Sequence, residues 1–262
     1  MANMTSSVLA SQVAGELASA TFEEIPALVE HYREDPRQQV IKACERALKR
    51  HAKELAERER VNDMYELMHE LGGDGVVVGV DEVGRGSVAG PLTVCAVCLP
   101  MEPRVWGIND SKKLTPARRE LLSVKIAEVA TAIGFYHIAP ADIDEMGMAR
   151  AIRTAVAGAV ADTGLEPDCV LMDGNPLGAV PNERDVVKGD AKIACIAAAS
   201  IMAKVTRDEM MVEYDAEYPE YHLAESKGYA SPEHIEAIRK HGLCPLHRVS
   251  FCGNFLQTER LF

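Results

Sequence analysis

The sequence places acidic side chains where a folded chain does not readily bury negative charge. Asp81 and Glu82 directly follow the apolar run 76–80, whose β-branched residues predict a buried strand. Two neighbouring carboxylates repel each other and tend to share a proton unless a cation binds near them. A divalent ion such as Mg²⁺, which prefers oxygen ligands, would remove that repulsion. Taken alone, however, the pair is better explained by a solvated acidic turn.

Further acids occupy similar positions later in the chain and change that judgement. Asp173 follows the apolar run 169–172, and Asp190 begins a long alanine-rich segment that is predicted to be a helix. In an α/β sheet, strand ends and the helix starts that follow them converge on one edge. Oxygen donors without a nearby His/Cys set favour Mg²⁺ or Mn²⁺. Two such ions beside a phosphodiester would stabilise its attacking and leaving oxygens, so the acids predict phosphodiester chemistry.

A glycine-rich loop follows the first two acids. Gly84, Arg85 and Gly86 stand at its start, and glycines allow close backbone approach and leave N–H groups free for a ligand. A nucleotide-binding loop is an alternative from a different functional class. Against it, Asp81 and Glu82 would face the anionic phosphates, and no Gly-Lys-Ser/Thr follows. The loop and the acids together favour an enzyme active site.

The charge distribution restricts the mode of nucleic-acid binding. A net charge of −12 over 262 residues argues against binding driven by overall charge, but it leaves room for a local basic groove. Cations cluster in and after the polar loop 109–114 (NDSKKL) and again between residues 188 and 207. From these clusters we expect Lys112, Lys192 and Arg207 to contact the substrate. Each cluster alone would also suit a solvated face.

The remaining composition indicates a cytoplasmic protein without a membrane partner, and we also expect a monomer. No run reaches the ~18 apolar residues of a membrane helix, and the N-terminus lacks the basic start and apolar block of a signal peptide. Cys95 and Cys98 lie three residues apart on a predicted strand and would face opposite ways. They are therefore interpreted as reduced core cysteines rather than a zinc site.

The pattern of elements predicts an α/β catalytic domain with helical additions. Residues 1–72 are expected to form an N-terminal helical extension that includes one helix of about 35 residues ending near Gly72. A packed appendage is favoured over a nucleic-acid arm or a partner-binding module for this part. Residues 73–215 are expected to form the catalytic domain, and residues 216–262 a helical and loop region that completes the substrate groove. The predicted strands are 76–80, 92–99, 133–138, 169–172 and 184–187, and the predicted helices of this part are 115–130, 143–161 and one from 190 onward.

Several sequence blocks together resemble bacterial ribonuclease HII, the type 2 ribonuclease H. In chain order they are GVDEVGRGSVAGP, NDSKKL, VLMDG, VKGDAKIACIAAASIMAKVTRD, SKGYASPEH and HRVSF, within residues 76–251. The segment RERVNDMYELMHELGG is similar to the N-terminal extension of some bacterial members. The resemblance implies a ribonuclease H-like α/β fold, a mixed five-stranded sheet flanked by helices.

The resemblance also implies an activity and a site. Asp81, Glu82, Asp173 and Asp190 would form a catalytic, metal-binding group for Mg²⁺ or Mn²⁺. The implied enzyme is an endonuclease that hydrolyses RNA in RNA/DNA hybrids. It would also cut on the 5′ side of single ribonucleotides in duplex DNA, leaving 3′-hydroxyl and 5′-phosphate ends, in ribonucleotide excision repair.

Substrate recognition is implied for two further features. Gly84-Arg85-Gly86 would read the 2′-hydroxyl that distinguishes RNA from DNA, and Tyr229 would stack on the sugar after the ribonucleotide. The sister enzyme ribonuclease HIII shares the carboxylates, but the Gly-Arg-Gly loop with Tyr229 favours type HII. The segment Glu145–Met148 and the residues after Asp173 depart from the usual family pattern, which puts local loop geometry in doubt but not the chemistry.

The last residues loosely resemble peptides that dock on the sliding clamp of replication. Leu261 and Phe262 would supply adjacent apolar anchors, and Gln257 would hydrogen-bond at the rim of a groove. Packing of these residues back on their own domain is the stronger alternative, because short motifs match by chance.

Overall fold

The structure is a computed structural model in which residues 8–256 are described. Their packing divides into two compact units, one ending at Asn62 and one beginning at Asp63. This division falls inside a long helix, and the described part of the C-terminal region belongs to the same unit as the sheet. The domain limits 1–72, 73–215 and 216–262 stay predictions.

The first unit is helical. It contains α1 (Ala10–Ser19), α2 (Ile25–His31) and the first part of α3 (Gln38–Gly72). Leu17 and Ile25 are buried in one apolar cluster with Val40. The 35-residue length of α3 confirms the long helix that the sequence predicted.

The second unit is built on a mixed five-stranded sheet with the order β3-β2-β1-β4-β5. The strands are β1 (Val77–Val83), β2 (Leu92–Cys98), β3 (Ala132–Ile138), β4 (Cys169–Asp173) and β5 (Glu183–Val186). β1 pairs antiparallel with β2 and parallel with β4. β2 pairs antiparallel with β3, and β4 pairs parallel with β5. The mixed sheet expected from the sequence is therefore confirmed.

Further helices belong to the same unit as the sheet. They are α4 (Pro116–Val129), α5 (Pro140–Met146), α6 (Met148–Asp162), α7 (Ala194–Glu217), α8 (Leu223–Ser226), α9 (Pro232–His241) and α10 (Val249–Cys252). Among the described residues, no helix is both long enough and apolar enough to cross a membrane. Cys95 and Cys98 are both buried and free, as expected for reduced core cysteines.

Some element boundaries differ from the sequence-based prediction. The predicted helix 143–161 is interrupted at Gly147, whose φ of 77° ends α5 and starts α6. Asp190 does not cap α7, because it lies in a separate 3₁₀ turn, Gly189–Ala191, before that helix begins at Ala194. β1 also continues through its two acids to Val83 instead of stopping before them.

The two faces of the sheet are covered differently. Val78 and Val80 point into an apolar cluster that includes residues of α6. On the opposite face α7 approaches so closely that a Cβ on Gly79 would lie 2.3 Å from the carbonyl carbon of Cys195. Only a glycine allows this contact, and it fixes the height of α7 above β1. Asp81, two residues further along the strand, faces the same helix.

Candidate active site

Asp81 and Asp173 lie at neighbouring strand ends. β1 and β4 run parallel and pair up to Val80 and Met172, so the two acids occupy the next position on each strand. Neighbouring strands are about 4.8 Å apart. Side-chain alternation directs both acids away from the cluster that contains Val80 and Met172, and therefore towards α7. The expected meeting of these acids at one sheet edge is what this register produces.

Asp190 is brought to the same edge by a hydrogen bond between the preceding backbone N–H and the Asp173 side chain. The N–H of Gly189 donates to Oδ1 of Asp173 over 2.7 Å, which ties the 3₁₀ turn to the end of β4. Asp190, the next residue, is 6% exposed. This tether replaces the helix cap that the sequence suggested for Asp190.

The carboxylate of Asp81 is held by α7 as well as by its own strand. It is 8% exposed, and its Oδ1 accepts a 2.8 Å hydrogen bond from the N–H of Glu82. The hydroxyl of Ser200 on α7 also hydrogen-bonds to Asp81. Ser200 in turn lies 2.9 Å, oxygen to oxygen, from Ser111 of the NDSKKL loop. Sequence reasoning missed both serines, although each lies inside one of the family-like blocks.

Burial and mutual repulsion destabilise the charged form of these acids. Burial, followed by the charges of Glu82 and Asp173, raises the pKa of Asp81 from 3.8 to about 8. The pKa of Glu82 is raised by burial despite the Arg85 guanidinium, whose Nη1 lies 3.5 Å from Oε1. Burial and the charge of Asp173 also raise the pKa of Asp190. With all of its acids ionised, the site would therefore carry more negative charge than its own cations neutralise.

The donor set fits a hard divalent cation. Within residues 8–256, no three Asp, Glu, His or Cys side chains converge closely enough to form a finished metal cage. The candidate ligands are nevertheless all carboxylates, the donors that Mg²⁺ and Mn²⁺ favour. The excess negative charge is the electrostatic condition under which such an ion binds. Binding requires the side chains at this edge to turn towards a common point.

A cavity of about 470 Å³ opens beside two of the acids. Its walls bring together Asp81 and Glu82 with most of the predicted substrate contacts. The lining residues predicted from the sequence are Asp81, Glu82, Gly84, Arg85, Gly86, Lys112 and Tyr229. Ser111, Ser200 and Lys204 also line it and were not predicted. Lys204 carries a cation one helical turn from Ser200, a spacing on α7 that could have identified it.

The predicted lysines are placed differently from each other. Burial lowers the pKa of Lys112, but the combined charges of Asp81, Asp190, Asp110 and Asp173 outweigh this and raise it overall. The nearby carboxylates therefore stabilise the charged form of Lys112. Lys192 is exposed, and its Nζ donates to the carbonyl of Val187 over 2.8 Å. It is not among the residues that line the cavity.

Arg207 does not meet the expectation of a substrate contact. Its side chain is 0% exposed. Nε donates to the carbonyl of Pro91 over 2.9 Å, and Nη1 donates to that of Lys227 over 2.7 Å. Nη2 reaches the Ser87 hydroxyl and the Ala89 carbonyl. With its donors directed at internal acceptors, Arg207 braces the loop after Gly86 instead of reaching a ligand.

A second buried arginine, which the sequence reasoning did not single out, supports the same loop. Arg248 is 0% exposed, and burial lowers its pKa to about 10. Its guanidinium donates to the carbonyl of Arg85 over 3.1 Å and to that of Gly90 over 2.9 Å. Gly84, with φ of 84°, leaves room for Arg207, because a Cβ there would lie 2.3 Å from its Nε. The loop is thus held from inside by two cations.

Comparison with known proteins identifies the family of the chain. The chain matches the family model of ribonuclease HII over residues 78–254 and that of the ribonuclease HII N-terminal domain over residues 11–71. Ribonuclease HII of Acetivibrio thermocellus is 39% identical over 259 residues, which cover 98% of this chain and 100% of that protein.

Solved structures show the same architecture. Ribonuclease H2 from Pyrococcus horikoshii OT3 matches with a TM-score of 0.59 and 27% identity, covering 70% of this chain and 99% of that one. The PCNA:RNase HII complex from Archaeoglobus fulgidus matches with a TM-score of 0.58 and 25% identity, over 66% of this chain and 94% of that one. The expected ribonuclease H-like fold is therefore confirmed.

The raised pKa of Asp81 leads to a stability prediction. The folded state holds this proton more tightly than the unfolded state, so its stabilising contribution is complete below pH 3.8 and is lost as the pH rises towards 8. In EDTA, Asp81→Asn should therefore be more stable than the wild type at pH 8, by at least about 1 kcal/mol, or about 2–4 °C in Tm. The gain should be smaller at pH 5. Thermal unfolding followed by circular dichroism measures it.

The matched control for this experiment is Asp63→Asn, a change at an exposed acid of α3. That variant should show no pH-dependent gain. A Tm of Asp81→Asn equal to or below that of the wild type at pH 8 would show that burial does not penalise this carboxylate.

Proposed function

Because the chain belongs to the ribonuclease HII family and is an endoribonuclease, we propose that it cleaves RNA in RNA/DNA hybrids at the edge formed by Asp81, Glu82, Asp173 and Asp190. It also cuts on the 5′ side of single ribonucleotides in duplex DNA, and it leaves 3′-hydroxyl and 5′-phosphate ends. The observation that carries this proposal is the buried, repelling set of carboxylates beside the cavity of the glycine loop.

The family depends on a divalent metal, and the carboxylates of Asp81, Glu82, Asp173 and Asp190 would hold it here, as Mg²⁺ or Mn²⁺. When bound, two such ions stabilise the attacking and leaving oxygens of a phosphodiester. The Ser200 hydroxyl favours the charged form of the Asp81 carboxylate by lowering its pKa, against the larger effect of burial. The Lys112 ammonium lies on the cavity wall beside these acids and offers a positive charge to the scissile phosphate.

The loop and the tyrosine supply recognition in this proposal. A Cβ on Gly86 would meet no atom within 4 Å, so the backbone there is open to a ligand. Approach of this loop to a 2′-hydroxyl would separate RNA from DNA. Tyr229 is 39% exposed on the same cavity, in a position to stack on the sugar that follows the ribonucleotide.

The alternatives from the sequence have less support. The family match is to type HII rather than HIII. A nucleotide-binding role for the Gly84–Gly86 loop is disfavoured because Asp81 and Glu82 share its cavity and would repel phosphates that carry no metal. A purely interaction-based role would leave those acids unexplained. The appendage role of the N-terminal helices, the cytoplasmic location and the monomeric state stay predictions.

The direct test of function is cleavage of a DNA duplex that carries one ribonucleotide. We expect cleavage with Mg²⁺ or Mn²⁺ and none in EDTA. Asp173→Asn should lower the rate by more than about 100-fold. The Asp173 carboxylate would bind the metal directly, and its loss should cost more than the loss of a group that only hydrogen-bonds to a metal ligand. Asp63→Asn serves as the control with wild-type activity. Wild-type cleavage by Asp173→Asn would mean that the site is assigned wrongly.

Tyr229→Ala should weaken cleavage at a single ribonucleotide more than cleavage of a long hybrid. The proposed stacking acts only at the junction, and contacts of this kind contribute roughly 1–3 kcal/mol. Tyr229→Phe keeps the ring and should retain the preference. Initial rates on the two substrates give the ratio, and an equal loss on both would count against junction reading.

The sliding clamp is a further proposed partner. Gln257, Leu261 and Phe262 lie outside the described residues. In support of docking, a relative from Archaeoglobus fulgidus has been solved as a PCNA complex. Deletion of Leu261 and Phe262 should abolish clamp binding in a pull-down while cleavage of a short duplex continues. Unfolding of the deletion variant, or no binding by the intact chain, would indicate that these residues pack on their own domain.

A further inference from the structure

Two buried imidazoles face each other behind Tyr229. His234 on α9 is 0% exposed, and His247, next to Arg248, is 3% exposed. Their Nε2 atoms lie 3.1 Å apart. These histidines belong to the SPEH and HRVSF segments, and the catalytic and substrate contacts described above do not use them.

The neighbouring groups fix where the protons lie. Nδ1 of His234 is 2.9 Å from the carbonyl oxygen of Tyr229, which can only accept, so this nitrogen carries a hydrogen. Nδ1 of His247 accepts from the N–H of Cys244 over 3.0 Å. The hydrogen of His247 is therefore on Nε2 and is donated to Nε2 of His234. The hydrogen bonds run in one direction, from Cys244 through both rings to Tyr229.

This arrangement requires both rings to be neutral. A second proton on His234 would set two Nε2–H groups against each other, and a second proton on His247 would set its Nδ1–H against the N–H of Cys244. Burial, together with the neighbouring His234, lowers the pKa of His247 to about 4. The pKa of His234 is also lowered, chiefly by burial. Near neutral pH the pair is therefore in the state that the hydrogen bonds need.

The pair joins the chain segments that flank the cavity. At one end, the Tyr229 carbonyl accepts a hydrogen bond from Nδ1 of His234. The carbonyl of the preceding residue, Gly228, accepts from the N–H groups of Val88 and Ala89 over 2.9 and 3.0 Å. At the other end, His247 forms a β-bridge with Ala89. Its neighbour Arg248 holds the carbonyl of Arg85, inside the glycine loop.

We propose that His234 and His247 are positioning residues that fix Tyr229 relative to the Gly84–Gly86 loop, so that discrimination of the RNA–DNA junction depends on them. This inference rests on the proposed function, since it assumes that Tyr229 reads the junction. The pair does not touch the substrate. It acts by keeping the tyrosine backbone at a set distance from the loop that approaches the 2′-hydroxyl.

Two substitutions at His234 distinguish the role of its hydrogen bond to the Tyr229 carbonyl from the role of its packing. The side-chain amide of asparagine reaches the place of Nδ1 and can still donate to the Tyr229 carbonyl. The amide of glutamine reaches the place of Nε2 instead and loses that bond. His234→Gln should lower the ratio of kcat/KM on the single-ribonucleotide duplex to kcat/KM on a hybrid by about fivefold, the effect of one hydrogen bond. His234→Asn keeps the bond to Tyr229 but loses the one from His247, so it should lower that ratio by a smaller factor, about twofold.

The readout is the substrate ratio, because a merely structural role would lower both activities together. Circular dichroism verifies that each variant is folded. If His234→Gln does not fold, His247 provides the second pair, in which asparagine loses the Nε2 donor and glutamine retains it. An unchanged ratio in the folded disrupting variant, or equal effects of asparagine and glutamine, would overturn the proposal.

Combining His234→Gln with Tyr229→Ala distinguishes a failure of this inference from a failure of the proposed function. If Tyr229 reads the junction, Tyr229→Ala lowers the ratio by itself, and His234→Gln lowers it no further in that background. A Tyr229→Ala variant without selective loss would refute junction reading and the positioning role with it. Selective loss in Tyr229→Ala without any in His234→Gln would refute the positioning role alone.

Discussion

Burial of the Asp81 carboxylate against α7 is the constraint on which the site depends. Gly79 permits contact between the helix backbone and β1, and this contact leaves Asp81 little water. The acid keeps only partial compensation from the Ser200 hydroxyl and the Glu82 N–H, so its pKa rises to about 8. A group in this condition gains most from a nearby cation. The packing of α7 thus makes the charged form of Asp81 unfavourable, and a bound divalent metal would stabilise that form.

The Gly84–Gly86 loop and the residues after it are stabilised by buried arginines. Irregular backbone cannot satisfy its carbonyls through a sheet or helix, and buried carbonyls without partners are costly. Here the guanidinium groups of Arg207 and Arg248 donate to carbonyls on and around the loop. Both arginines come from distant parts of the chain, so the loop geometry depends on the completed fold. The same internal bonds connect the loop with the segment that carries Tyr229.

Much of this could be predicted from local sequence pattern. The β-branched runs identified the strands, and the acids at their ends identified the edge. The pattern could not show that Gly147 takes a positive φ and divides a helix, because glycine inside an apolar period is also compatible with a continuous helix. Arg207 was expected to contact the substrate because it belongs to a cluster of cations in the sequence. The carbonyls that enclose it come from segments about 20 and more than 100 residues away, which no local pattern records.

The positions of Asp190 and Ser200 also could not be predicted from the neighbouring sequence. An acid before an alanine-rich helix favours an N-cap, whereas the bond from Gly189 to Asp173 places Asp190 in its own turn. Ser200 ends a run of alanines in the sequence, and only the register of α7 over Gly79 brings its hydroxyl to Asp81.

The central claim is that buried, repelling carboxylates at the ends of β1 and β4 form the divalent-cation site. A thermal-unfolding titration with Mn²⁺ at pH 8 tests it most directly, since a ligand that binds only the folded state raises Tm with its concentration. The Tm of the wild type should rise progressively with Mn²⁺ concentration, and that of Asp81→Asn should rise much less. An equal rise in both proteins, or none in the wild type, would contradict it.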